Sequence, residues 1–277
     1  MTSIMGQTGR TGDYLLGDGQ AERDRLHRQQ TELAGDSAWL FDQIGVRPGH
    51  SVAEIGCGPR GCLEDLSERV GPTGRVVGVE RDEVTVAQGQ AFLAERRLAN
   101  VEIVRGDGAA TELPRDAYDV VTTRLVLVNI PNPERLVAEA FALCRNGGVV
   151  AYHDVVWPLG SFDPPCPAWE QLYELAKKYT ASRGIDLHIG LRLPRLLREQ
   201  GLVNIEARSI THVCPPGHAR RTIPADILAA FAPNLVAEGL ISDDELGQLR
   251  ATLRSHIEQP ETFVVSPLYI QAWGTKP

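Results

Sequence analysis

Residues 52–61 read Val52-Ala53-Glu54-Ile55-Gly56-Cys57-Gly58-Pro59-Arg60-Gly61. An apolar run of strand character ends at Ile55, glycines follow at 56, 58 and 61, and an amphipathic stretch begins at Cys62. Strand, glycine turn, helix is the local pattern of a parallel α/β unit whose backbone lets a ligand come close. The acid Glu54, just before the first glycine, bears on which ligand. A dinucleotide site presents a helix N-terminus to an anionic pyrophosphate, which a carboxylate there would repel. A ligand with a cationic group has the opposite need.

Outward from this segment the chain alternates. The spacing predicts strands at 51–55, 75–79, 101–104, 118–122 and 149–153. Helices are expected at 62–70, at 83–97, and after Asn132-Pro133, read as a cap followed by a first-turn proline. Alternation at this spacing implies βαβ units in a doubly wound parallel sheet. Upstream, 20–33 reads as a charged helix, and a second short helix is expected with Asp36 as its N-cap and Trp39, Leu40 and Ile44 inward. Downstream, 158–167 is a proline-rich break, and helices are expected at 167–183, at 193–200 and twice within 224–258. The last of these has a capping box from Ser242 to Glu245. Strands at 203–213 and 263–273 are expected as an antiparallel pair at one sheet edge, with Pro267 marking an edge or bulge.

Bulk composition excludes several classes. With 28 basic and 36 acidic residues the net charge is −8, which argues against nucleic acid as a partner. Cys57 and Cys62 have no second Cys or His pair at zinc spacing, so packing is the reading of both. No apolar run approaches the length of a membrane span and no secretory leader is read at the start, so a cytoplasmic setting without membrane attachment is expected.

The motifs together resemble a class I S-adenosylmethionine-dependent methyltransferase of the group that acts on small molecules. The likeness covers residues 47–155 and rests on Glu54 to Gly61, Gly78-Val79-Glu80, Gly106-Asp107-Gly108-Ala109 with Leu113-Pro114, Tyr118-Asp119-Val120-Val121, and Gly147-Gly148-Val149-Val150. It implies a Rossmann-like, seven-stranded, mostly parallel sheet with an antiparallel edge strand, a helical lid and an N-terminal helical cap. The corresponding division is a cap over the cofactor at 1–45, a cofactor-binding core at 46–155, and lid helices with the last strands at 156–277. It also implies roles. Gly56, Cys57 and Gly58 would touch the cofactor, and Glu54 would place negative charge near its amino group, directly or through backbone and water. Glu80, with Arg81 beside it, would accept both ribose hydroxyls. Asp107 would accept from the adenine amino group with the Gly108 amide nearby, and Arg124 and Leu125 would line the methionine tail and methyl. Tyr14-Leu15-Leu16-Gly17, with Arg25 and Gln29 on one helix face, resembles a leader that folds over the cofactor; a solvated charged helix is the alternative.

The acceptor side has fewer signals. His153-Asp154 ends the fifth strand, where a general base would stand, but neighbouring strand residues point to opposite faces. His188 is a further acceptor-side candidate, and Trp157, Trp169 and Tyr173 form either an aromatic wall for a planar acceptor or ordinary packing. No metal is expected. The function read from the sequence is methyl transfer from S-adenosylmethionine, leaving S-adenosylhomocysteine, to an oxygen or nitrogen of a small-molecule acceptor of secondary metabolism. The alternatives are a fold that keeps the cofactor for a non-methylating reaction or for binding alone, and a nicotinamide-dependent oxidoreductase, against which Glu54 and Asp107 weigh. A homodimer is expected through exposed edges and helices.

Overall fold

The computed structural model describes residues 20–157 and 160–277. Five strands run parallel: β1 (Ser51–Ile55), β2 (Arg75–Glu80), β3 (Val101–Arg105), β4 (Tyr118–Arg124) and β5 (Cys144–Val156). The short β6 (Ser161–Asp163) pairs antiparallel with β8 (Phe263–Val265) apart from the main sheet. β7 (Val203–Ile210) and β9 (Leu268–Thr275) complete the seven-stranded sheet in the order β3-β2-β1-β4-β5-β9-β7. β9 runs antiparallel to both of its neighbours, which places the antiparallel pairing at one edge. The valine-rich strand sequences have their reason here. Val76, Val77, Val120, Val121 and Val150 are all at most 1% exposed, because helices cover both faces of a parallel sheet.

On one face lie α1 (Gln20–Gln43), α2 (Leu63–Val70) and α3 (Glu83–Arg96). On the other lie α4 (Pro133–Leu143) and α6 (Ile189–Glu199). α5 (Pro167–Ala181), α7 (Ile223–Ala237) and α8 (Asp243–Glu258) pack on one another beyond β5, with α7 also against α1. No described helix is long and apolar enough to cross a membrane.

Several local expectations are corrected. The two helices expected before residue 45 are one helix, because Asp36 does not cap: it is buried and its carboxylate takes His212 and Arg220 from the far end of the chain. Asn132 makes no capping hydrogen bond and sits at φ 52°, although Pro133 does open α4. β5 is longer than its apolar core, since β4 and β9 pair it on both sides. The strand expected at 263–273 breaks at Pro267, which has no N–H for a ladder. The capping box of α8 forms as read.

Candidate functional site

The ends of β1, β2, β3 and β4 meet at one rim, where the glycine loop lies. Gly56, Gly58 and Gly61 have φ of +70°, +60° and +50°. A Cβ on Gly56 would come within 2.5 Å of Val126 Cγ2, and one on Gly61 would overlap the Glu54 carboxylate and lie 2.8 Å from Cys57 O. Gly58 differs, for no atom lies within 4 Å of where its Cβ would be. Two of these glycines are therefore required by the protein's own packing, and the third faces open space.

Glu54 is 1% exposed, and both of its oxygens accept from the Cys62 N–H, at 3.0 and 2.8 Å. Burial raises its pKa, while the charge of Arg124 and the Cys62 N–H oppose that rise. The carboxylate thus holds the loop closed, and of the two expected ways of acting near a ligand amino group the one through backbone matches this arrangement. Cys57 turns its side chain into the core, where a Cβ on Gly78 would meet its Sγ at 2.7 Å, so only its backbone faces the rim.

Glu80 reaches from the tip of β2 into the same loop. Its Oε2 accepts from Gly58 N at 3.1 Å, and its Oε1 from Arg81 N at 2.8 Å and Asp82 N at 3.0 Å. A carboxylate has about four acceptor sites. Three are occupied by the chain's own backbone, which leaves an acceptor position on Oε2. Beyond it Arg81, Arg105, Gly106 and Asp107 line an open cleft. Asp107 Oδ1 accepts from Ala109 N at 2.9 Å, so the Gly-Asp-Gly segment is a turn whose acid keeps one oxygen for the cleft. Gly108 is small because a Cβ there would lie 2.8 Å from Ile55 Cγ2.

At the end of β4, Arg124 donates to Ser37 Oγ at 2.9 Å and to Gly61 O at 3.3 Å, which ties α1 to the glycine loop. Leu125 has φ 55° and donates its N–H to His153 O at 2.8 Å. Tyr14 lies outside the described residues. Arg25 and Gln29 fall on the backbone of α1, with side chains outside the described ones.

The acceptor-side residues are placed differently from the expectation. His153 is 2% exposed, with Nδ1 accepting from Gln271 Nε2 at 3.4 Å and its ring edge-on to Tyr269. Burial, then the charge of Arg124, lower its pKa to about 3, with Asp36 acting the other way. In this arrangement it is a weak base away from open space, which corrects the catalytic role expected of it. Trp157 and Trp169 are each 6% exposed and pack on one another and on Phe231 and Phe162, so they are buried core between the end of β5, α5 and α7 and no open wall. Tyr173 and His188 do reach a surface together, with Tyr173 Oη and His188 Nε2 3.2 Å apart. Among the described residues no group of three His, Cys, Asp or Glu side chains is arranged to hold a metal ion.

Asp154, on the opposite face of β5, has a pKa raised to about 7 by burial against the pull of four backbone N–H groups. The two neighbours therefore give opposite pH slopes. His153 binds no proton in the folded chain where the unfolded chain binds one, so stability rises with pH between about 3 and 6.5 and is fully present above that. Asp154 keeps a proton that the unfolded chain has lost, so stability falls with pH between 3.8 and about 7. Relative to the unaltered chain, the melting temperature of His153→Gln is expected to fall between about pH 4 and 6.5, and that of Asp154→Asn to rise. Thermal melts at stepped pH check this; three parallel curves would contradict it.

Sequence reasoning missed Ser37, Val126 and Arg220, and misread Asp36. None carries a local signal, because each acts on a residue distant in the chain.

Comparison with known proteins gives the setting. Residues 52–148 match a family described as a methyltransferase domain. Over 119 residues, 43% of this chain and 42% of the relative, the sequence is 35% identical to nocamycin O-methyltransferase of Saccharothrix syringae. The chain spans about half the length of the curated methyltransferases it matches. Among solved structures, geranyl diphosphate C-methyltransferase of Streptomyces coelicolor, in complex with Mg2+, geranyl diphosphate and S-adenosyl-L-homocysteine, is similar with a TM-score of 0.55 at 14% identity, covering 95% of this chain and 87% of that one. The [4+2]-cyclase SpnF is similar with a TM-score of 0.52 at 17% identity, covering 97% and 88%. At such identities the likeness is one of fold.

Proposed function

We propose, for a chain that carries a class I methyltransferase domain, that it transfers a methyl group from S-adenosylmethionine to an oxygen or nitrogen of a small-molecule acceptor of secondary metabolism. The observation that carries the reading is the open outer face of Gly58 beside Glu80, at the carboxyl ends of the parallel strands. The donor set fits the cofactor. The Gly56–Gly58 backbone allows close approach, the remaining acceptor position of Glu80 suits a ribose hydroxyl, and Asp107 with the Gly108 amide suits the adenine edge.

When bound, the sulfonium supplies an electrophilic methyl. The chain's part is to align and to exclude water, and alignment supplies much of the acceleration of an in-line displacement. α1 and the helices beyond β5 form the cover. Tyr173 and His188 are the polar pair we assign to contact with the acceptor, with the proton leaving to solvent or to this pair rather than to His153.

A second reading keeps the cofactor site without methyl transfer. It is favoured by the burial of His153, which leaves no strong base on β5, and the fold is shared with a cyclase. Detection of a methylated product excludes it.

S-adenosylhomocysteine is expected to raise the melting temperature, and NAD or NADP is not. Glu80→Ala is expected to weaken S-adenosylhomocysteine binding by about 10- to 100-fold, the worth of hydrogen bonds to a charged group. Calorimetric titration checks both. A shift with NAD, or an unchanged affinity in the variant, would sink the reading.

A further inference from the structure

Asp154 lies on β5 at 1% exposure, as buried as Glu54, and the proposed reaction does not use it. Its Oδ2 accepts from Leu127 N at 2.9 Å and Val128 N at 3.4 Å, and its Oδ1 from Val155 N at 2.9 Å. The Val126 N–H also contributes. One carboxylate thus gathers the backbone of the segment after β4, whose only regular structure is the single turn Leu127–Asn129. That segment is held in an unusual shape, with Leu125 at φ 55° and its carbonyl accepting from Asn129 Nδ2 at 2.7 Å.

The gathered segment touches both halves of the site. Val126 packs over Gly56, so closely that a Cβ there would come within 2.5 Å. At its other end Pro131 stands near Gly184, between α5 and α6, and the turn Leu127–Asn129 lies against α6. A chain of contacts therefore runs from Asp154 through residues 126–128 to the glycine loop on one side and to α6 on the other. Burying a charge is costly, and an apolar residue of similar size would pack at least as well. What an apolar residue cannot do is accept several backbone N–H groups at once.

We propose that Asp154 is a positioning residue for methyl transfer: by holding residues 126–128 it sets the segment that faces the cofactor's methyl and separates the glycine loop from the cover. This rests on the methyl-transfer reading, on which Arg124 and Leu125, at the start of this segment, line the methionine tail and methyl. S-adenosylmethionine and S-adenosylhomocysteine differ only at that methyl and its charge, so their affinity ratio reports on this segment, whereas general loosening of the fold weakens both alike.

The test is calorimetric titration of both nucleosides at pH 8 into the full chain, Asp154→Asn and Val126→Ala. Asp154→Asn is expected to weaken S-adenosylmethionine at least fivefold more than S-adenosylhomocysteine. Val126→Ala, which loosens the contact with Gly56 without touching the buried acid, is expected to move the ratio in the same direction, and an unmoved ratio there overturns the proposal whether or not Asp154→Asn folds. Equal weakening of both ligands, or ratios within twofold of the unaltered chain, overturns the proposal. If the unaltered chain binds neither nucleoside, the cofactor reading itself has failed, a result distinct from either.

Discussion

Gly58→Ala is expected to fold nearly as stably as the unaltered chain yet lose S-adenosylhomocysteine binding by at least about 10-fold, whereas Gly61→Ala is expected to lose stability first. Both residues have positive φ, so each alanine carries a backbone strain of about 1 kcal/mol. The difference is in what the new methyl meets. At position 58 it meets nothing within 4 Å, so the cost stays near that strain, or a few degrees in melting temperature. The added methyl instead occupies the face along which a ligand must approach. At position 61 it meets the Glu54 carboxylate and, at 2.8 Å, the Cys57 carbonyl. Glu54 cannot retreat, since both of its oxygens are held by Cys62 N and it is buried. Overpacking of this kind, added to the strain, costs about 3 kcal/mol. Scanning calorimetry with ligand titration separates the two. Intact binding in Gly58→Ala would mean that the loop's open face is not where the cofactor lies.

Asp36→Ala is expected to destabilise the chain by about 3 kcal/mol, without any contact with a ligand. Asp36 Oδ2 accepts from His212 Nε2 at 2.9 Å and from Arg220 Nη2 at 3.1 Å, and Arg208 stands 3.9 Å from its other oxygen. The Arg220 side chain is 3% exposed, with Glu32 at 3.6 Å as its second anionic neighbour. Removing Asp36 leaves a buried guanidinium short of its nearest counter-charge, and that breakage costs more than the pair contributes when intact. The double variant Asp36→Leu with Arg220→Met is accordingly expected to recover part of the loss. Urea denaturation of the three variants measures this. A change within about 0.5 kcal/mol for Asp36→Ala would show that the cluster is solvated in solution. The consequence reaches the site, because the next residue, Ser37, accepts from Arg124, which also holds the Gly61 carbonyl.

How far the sequence is legible follows from the range of each interaction. The five parallel strands and the helices between them were readable because apolar runs, glycine turns and caps are local. Ser51–Ile55 came out with its limits unchanged, and the α8 capping box formed between residues three apart. Glu54, Glu80 and Asp107 were found as rim acids because strand ends place them there whatever else the fold does. Their hydrogen-bond partners were not readable. Glu54 holds Cys62 and Glu80 holds Gly58, and only the folded loop shows that these acids serve the backbone first. The opposite faces of His153 and Asp154 followed from strand alternation alone. That Gln271 and Tyr269 of β9 enclose the first, and that the second gathers residues 126–128, depends on segments brought together from elsewhere in the chain.

By itself, then, the sequence around residues 52–61 determined a parallel α/β sheet with a ligand-approaching turn, because strand, glycine turn and helix are decided within a few residues. Tertiary structure alone decided which glycine faces open space, that Asp36 is an anchor and no cap, that Trp157 and Trp169 are core, and that His153 is sealed against Gln271 and Tyr269. Each of these turns on burial, and for Asp36, Trp157 and His153 on partners more than twenty residues away. A linear pattern of residue types carries hydrophobic period and turn chemistry, but not which polar groups meet once water is excluded.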